Sequence, residues 1–359
     1  PNAEADITGI SFEEDVLANS YIDLNPSYDE SQNAYPIRIS VKEGTDMTSL
    51  APIFELTPGA TISPASGSVQ NFTTPVRYTV TSEDKAWHRV YAITAREQKA
   101  SNIPTTYHFE KVRIMQNVWQ EFYEEQDSGN ELTWASGNKG FKWAMSEAAT
   151  EDYPTTQIDN GKTGKCVKLE TRLTGDLGNM VGMPIAAGNL FIGSFDMLNA
   201  ITNPLSATRF GTPFYNKPLR LTGYHKYKAG EQFYENGEYT SRKDIFNIYA
   251  IFYDGVKYDS AGKGTDVTLD GNLPNQNYEH SSMVALALVS NPQETEGDEW
   301  KFFDIPFDYQ RYGKKIDEAR LAKGEYKIGI IFASSKDGAT FEGAPGSTLL
   351  IDEVELIYE

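Results

Sequence analysis

Short stretches in which apolar and polar residues alternate, each closed by a cluster of Gly, Pro, Asn or Asp, recur along the whole of this chain. A period of two sends successive side chains to opposite faces of a strand, so such a chain must bury one face of each segment against another sheet. In the first hundred residues the segments are ITGISF, PIRISV from Pro36, APIFELT from Ala51, VRYTV from Val76 and HRVYAITA from His88. In the last of these Val90, Ala92 and Thr94 oppose Arg89, Tyr91 and Ile93. Turn signals lie between the segments, TPGA at Thr57 and PASGS at Pro64 among them, and the spacing predicts a sandwich of about seven strands over residues 1–99.

Residues 97–106, EQKASNIPTT, lose the alternation and contain Pro104, which reads as a linker. Beyond it the strand candidates lengthen: YHFEKVRI, GFKWAMS, KCVKLETRL, NLFIGSFDML, LRLTGYHKY, DIFNIYAIFYD, SMVALALVS, WKFFDIPF, YKIGIIFASS and STLLIDEVELIYE. They predict a larger β-jelly-roll sandwich over residues 105–359, with loops framing a concave face. KKIDEARLA at residues 314–322 is the one segment that reads as a helix. The expected fold class is all-β. At 359 residues the chain is long enough for two cores, and 21 Tyr with 18 Phe place it among folded rather than disordered chains.

A formal charge of −19 opposes encounter with a nucleic-acid backbone or an anionic membrane surface, and leaves a neutral partner permitted. Cys166 is the only cysteine, so neither an intrachain disulfide nor a CxxC site is possible. His88, His108, His225 and His280 show no paired spacing, and GxSxG, GxxxxGK and strand-linked GxGxxG motifs are all missing. No cofactor is required by anything in the sequence. No apolar run is long enough for a membrane span. The opening PNAEADITG reads as a processed start, which fits an exported protein.

Residues 186–233 concentrate Phe191, Phe195, Phe210, Phe214, Tyr215, Tyr224, Tyr227 and Phe233 among Asn189, Arg209, Lys217, Arg220, Lys226 and Lys228. Ring faces cover the C–H patches of a sugar while amides and cations take its hydroxyls, so the run suits an oligo- or polysaccharide. Strand aromatics also fill cores, which explains the rings but not the cations. In LRLTGYHKY, Arg220, Thr222, Tyr224 and Lys226 share one parity, and Leu219, Leu221, His225 and Tyr227 share the other. The expected ligand-binding set is Trp134, Asn138, Asn189, Phe214, Lys217, Arg220, Tyr224 and Lys226, with Trp134 chosen for its setting in WASGN.

WASGN, GKCVKLETR, AAGNLFIGSF, FGTPFYNKPLRLTGYHKY and the terminal LLIDEVEL together resemble the putative carbohydrate metabolism domain family of Bacteroidetes, over residues 105–359. ITGISF, ELTPGATISPASG and YTVTSED resemble the Ig-like module that precedes it. The resemblance implies an Ig-like β-sandwich followed by a jelly roll similar to carbohydrate-binding modules and some glycoside hydrolases. It also implies an exported protein of the outer-membrane surface or periplasm, tethered through a lipid anchor outside this sequence. Jelly-roll sugar-binding modules often carry a structural calcium where the first and last strands meet, for which Glu110 and Asp352 are the candidates; both also fit ordinary edge carboxylates.

A glycosidase needs two carboxylates astride the sugar, and Glu170, Asp196, Glu231, Asp244 and Asp254 are the candidates in or near the expected concave face. The ExDxxE strand pattern of similar hydrolases is missing. In IDEVELIYE, Glu353 and Glu355 share a face that Asp352 does not. Glycan binding in a pocket is therefore the leading expectation, with glycan hydrolysis and an adhesion or scaffold role as alternatives.

Overall fold

A computed structural model describes residues 2–19 and 21–359. The chain divides into two compact units, Pro1–Ala100 with Glu359 and Ser101–Tyr358. Both are built from strands, and the fold is all-β.

In the first unit a four-stranded sheet runs in the order Tyr35–Lys42, His88–Gln98, Val76–Thr81, Thr61–Ser63, and a separate antiparallel pair joins Ile7–Ser11 to Ile53–Leu56. Tyr35–Lys42 runs parallel to His88–Gln98. Alternation works as expected in PIRISV, where Ile37, Ile39 and Val41 are buried and Arg38 is exposed. It weakens in His88–Gln98, where Tyr91, Ala92 and Ile93 are all buried because that strand is central in its sheet. Ile37, Ile39, Phe54, Phe72, Tyr78, Val80, Tyr91 and Ile93 form the core.

The second unit holds two large antiparallel sheets. The first orders Thr155–Asp159, Lys165–Glu170, Thr348–Tyr358, Pro218–Lys228 and Lys301–Pro306, with Thr106–Tyr107 also on Thr348–Tyr358. The second orders Asn189–Phe191, Tyr326–Ala333, Asn247–Asp254 and Met283–Leu288, with Thr212–Pro213 added on Tyr326–Ala333. Between them lies one core: Leu169, Leu221, Tyr227, Leu349 and Ile351 come from the first sheet, and Ile248, Ala250, Phe252, Ile328, Ile330 and Phe332 from the second.

The outer faces differ. On the second sheet Phe191, Tyr249, Ile251, Tyr253, Met283 and Ile331 form a further apolar cluster on the side away from that core. A strand apolar on both faces reads as a continuous run, and NIYAIFYD and MVALAL are such runs. Their outer face needs a cover, and part of it is supplied by three short helices: α1 (Asn138–Ala144), α2 (Gly175–Met180) and α3 (Met197–Thr202). Two of these fall inside segments expected to be strands. GFKWAMS lies largely within α1, and NLFIGSFDML is two short strands that break at Asp196 into α3. Asp196 caps α3, its Oδ1 accepting the N–H groups of Leu198 (2.9 Å) and Asn199 (3.4 Å), which is what stops the strand there. The helix expected at residues 314–322 forms over Glu318–Ala322 with Asp317 as its cap. Among the described residues no helix is long and apolar enough to cross a membrane.

Candidate functional site

The outer face of the second sheet carries two rows of side chains that point into one pocket. Register sets them: Asn189 and Asn247 both pair with Ala333, and Phe191 and Tyr249 both pair with Ile331. One row is thus amide, methyl, amide, and the next is phenyl, butyl, phenol. Phe210 closes one side, edge-on to Phe191 at 5.4 Å and to Tyr249 at 6.3 Å between ring centroids. Phe195, Met197, Ala200 and Ile201 contribute from α3 and the strand before it, and Trp143 from α1. Phe341, Lys336 and Ser335 contribute from the loop after Tyr326–Ala333, and Thr174 and Thr208 also line the pocket. The cavity volume is about 180 Å³, and among the described residues no Asp or Glu lines it.

α1 is held in place by its anchors. Phe141 packs edge-on against Tyr153 at 5.2 Å and clusters with Trp119, which leaves Trp143, two residues on, at the mouth. At the helix start the Asn138 side chain donates to the carbonyls of Gln120 (3.2 Å) and Thr155 (2.8 Å) and accepts the Thr155 N–H (3.1 Å). Asn189 Oδ1 accepts the Gly137 N–H at 2.7 Å. In the strand pair that carries Phe195 and Phe210, Gly193 is required: at φ +150° a Cβ would sit 1.9 Å from the Arg209 carbonyl oxygen.

Of the residues expected to bind ligand, the structure therefore puts Asn189 in the pocket. Asn138 is fully buried and spends its amide on backbone, so it positions α1 instead of meeting a ligand. Trp134 is 1% exposed, its ring enclosed by Tyr107, Phe109 and Phe332 at 5.0 to 5.9 Å, and Phe214 is equally buried; both are core. Trp143 is the tryptophan that reaches solvent at the site.

Arg220, Tyr224 and Lys226 do share a face, as their parity requires, but it is the outer face of the first sheet. There the Arg220 Nε donates to Asp304 at 2.5 Å, Tyr224 lies 5.2 Å from Phe302 beneath the Lys162 ammonium, and Lys226 reaches Asp298 and covers the Trp300 ring. Lys217 stands over Tyr309 at 5.2 Å.

The carboxylates expected to act as a catalytic pair are dispersed. Asp196 caps α3 and Glu231 is exposed on a loop. Asp254 is gripped by the Arg320 guanidinium at 2.6 and 2.7 Å. Asp244 is buried, accepting from Ser335 Oγ, Ser347 Oγ and the Ala344 N–H at 2.6 to 2.8 Å; burial raises its pKa while these donors act the other way. Glu170, held by Lys168 at 3.0 Å and Arg172 at 3.1 Å, lines a second cleft with Glu147 and Asp152 next to the first pocket.

Glu110 and Asp352 do meet, on one turn. Glu110 Oε1 accepts the Lys165 N–H at 2.7 Å and Asp352 Oδ2 the Thr163 N–H at 3.0 Å, so both clamp the turn before Lys165–Glu170. Burial pushes the Asp352 carboxyl up to about 6. Among the described residues no cluster of three or more Asp, Glu, His or Cys accompanies them.

Two comparisons bear on this architecture. A family model described as putative carbohydrate metabolism domain matches residues 108–357, and one described as SGBP, N-terminal, matches residues 23–95. A crystal structure of a putative glycoside hydrolase from Bacteroides thetaiotaomicron is 44% identical, with 100% of this chain and 98% of that chain covered and a TM-score of 0.64. Another, of a putative glycoside hydrolase from Bacteroides vulgatus, is 49% identical over 72% of this chain and 100% of that one, with a TM-score of 0.67. No curated protein matches. A family match spanning most of the second unit, joined to full-length likeness at this identity, means that the chain belongs to the putative carbohydrate metabolism domain family.

Proposed function

We propose that this protein is an exported glycan-binding component of carbohydrate utilisation, acting at the cell surface or in the periplasm. Its jelly-roll domain holds the ligand at the pocket over the second sheet. The observation that carries this reading is the lining itself: aromatic rings from three directions, amides from Asn189 and Asn247, and no carboxylate. Glycoside cleavage needs an acid and a second carboxylate at the scissile bond, and this pocket offers neither. Rigid strands hold the floor, so little side-chain freedom is lost on binding. The N-terminal unit, which the SGBP-type match covers, supports placement at the surface. A glycan array with the full chain tests the proposal; a glycan retained by wild type and lost by Phe195→Ala supports it, and retention of none favours an adhesion or scaffold role.

A second reading, hydrolysis, is favoured by the cleft that brings Glu147, Asp152 and Glu170 together and by the relatives described as putative glycoside hydrolases. Release of reducing ends from an array-positive glycan, abolished by Glu170→Gln, would replace binding with catalysis.

A further inference from the structure

A sugar ring does not account for the interior of this pocket, and we propose that the pocket takes an aryl group carried on the glycan, with the saccharide itself at the mouth. The inference rests on reading the pocket as the ligand site. Size comes first: about 180 Å³ is available, and an apolar cavity of about 150 Å³ already admits benzene.

Hydrogen-bonding capacity comes second. A pyranose wholly inside would bury several hydroxyls, and each one without a partner weakens binding roughly tenfold or more. Most polar groups in the lining are already engaged: Asn189 Oδ1 by the Gly137 N–H, Asn247 Nδ2 by Tyr278 Oη at 3.0 Å, Ser335 Oγ by Asp244, and Thr174 Oγ1 by the Met183 carbonyl. Among the described residues this leaves the second amide atoms of Asn189 and Asn247 and the hydroxyls of Tyr249 and Thr208 inside, fewer groups than the hydroxyls and ring oxygen of a free hexopyranose.

Aromatic geometry comes third. Phe191, Phe210 and Tyr249 stand edge to face at 79° and 84°, an arrangement that a further ring extends with either its edge or its face. The rim is apolar as well. Trp143 and Ile201 are exposed on the lining; Leu198 with Ile201 on α3 and Leu177 with Met180 on α2 form exposed pairs three residues apart, with Leu198 88% and Met180 82% exposed. Lys336, exposed at the margin and without an ion-pair partner among the described residues, favours a neutral or anionic aryl group over a cationic one.

The test is titration calorimetry and saturation-transfer NMR on the full chain with three probes: phenyl β-D-glucopyranoside, methyl β-D-glucopyranoside and phenol. Phenol and the phenyl glycoside are expected to bind, the latter about tenfold or more tighter than the methyl glycoside. Ala333→Met, which fills the floor, is expected to weaken both aryl probes by about tenfold, with circular dichroism as the check on folding. If that variant does not fold, Trp143→Ala carries the same expectation at the rim. Aryl probes that fail to bind at millimolar concentration, or that bind no better than the methyl glycoside, overturn the inference. Glycan binding indifferent to the aryl group would keep the carbohydrate reading and remove this one; phenol binding with no glycan retained on the array would do the reverse.

Discussion

The outer faces of the two large sheets are built from the same kind of alternating segments and end up opposite in character. On the first sheet Arg220, Tyr224, Lys226, Phe302 and Asp304 face solvent, their charges paired and their rings in contact with neighbours. On the second sheet Phe191, Tyr249 and Ile331 lie under helices and loops that cover most of the face and leave a cavity. A sheet with one polar face needs no cover, whereas a sheet apolar on both faces must acquire one, and the imperfect fit of the cover leaves a pocket. The pocket therefore follows the continuous apolar runs, not the cation-rich strand.

Substitutions on the two faces and in the core between them should have very different effects. The largest effect is expected for Trp134→Ala, which empties a fully enclosed ring position and should cost about 3–5 kcal/mol in denaturant unfolding. A loss below about 1 kcal/mol would mean that this ring is not core. Next is Asp352, whose carboxyl has a folded pKa of about 6 against an ordinary 3.8. The unfolded chain ionises first, so the burial penalty is absent below the lower value and fully present above the higher one. The Tm of Asp352→Asn relative to wild type should therefore rise between pH 4 and pH 7, by the equivalent of about 2 kcal/mol; a flat difference would reject the assignment.

Trp143→Ala should weaken an array-identified glycan by about tenfold while changing stability by less than about 0.5 kcal/mol, the signature of a site residue outside the core. Smallest is Arg220→Ala on the open face, where loss of a partly exposed ion pair should cost at most about 1 kcal/mol and leave glycan affinity unchanged. If Arg220→Ala abolished binding and Trp143→Ala did not, the open face would be the site.

Much of the architecture was legible because period-two alternation acts locally. The parity of LRLTGYHKY places Leu221, His225 and Tyr227 inward and Arg220, Tyr224 and Lys226 outward, as the strand Pro218–Lys228 has them. The site was less legible. Trp134 and Trp143 are both tryptophans near small and amide residues, and what separates them is that one follows a strand leading into the core while the other sits on a helix turned by Phe141. The helix itself was hidden, since GFKWAMS lacks the length for a helical period to show. A signal did exist in NIYAIFYD and MVALAL, whose unbroken apolarity announces two covered faces.

Residue type and nearest-neighbour periodicity were enough for the all-β class, the strand-poor stretch near residue 100 and the lack of an intrachain disulfide within this sequence. Tertiary structure alone decided which ring is buried and which is offered. It aligned Asn189, Ala333 and Asn247 in one row from strands far apart in the chain, and it kept every carboxylate out of that row's pocket. Register between distant strands is set by how whole faces pack, and no local window of sequence contains that information.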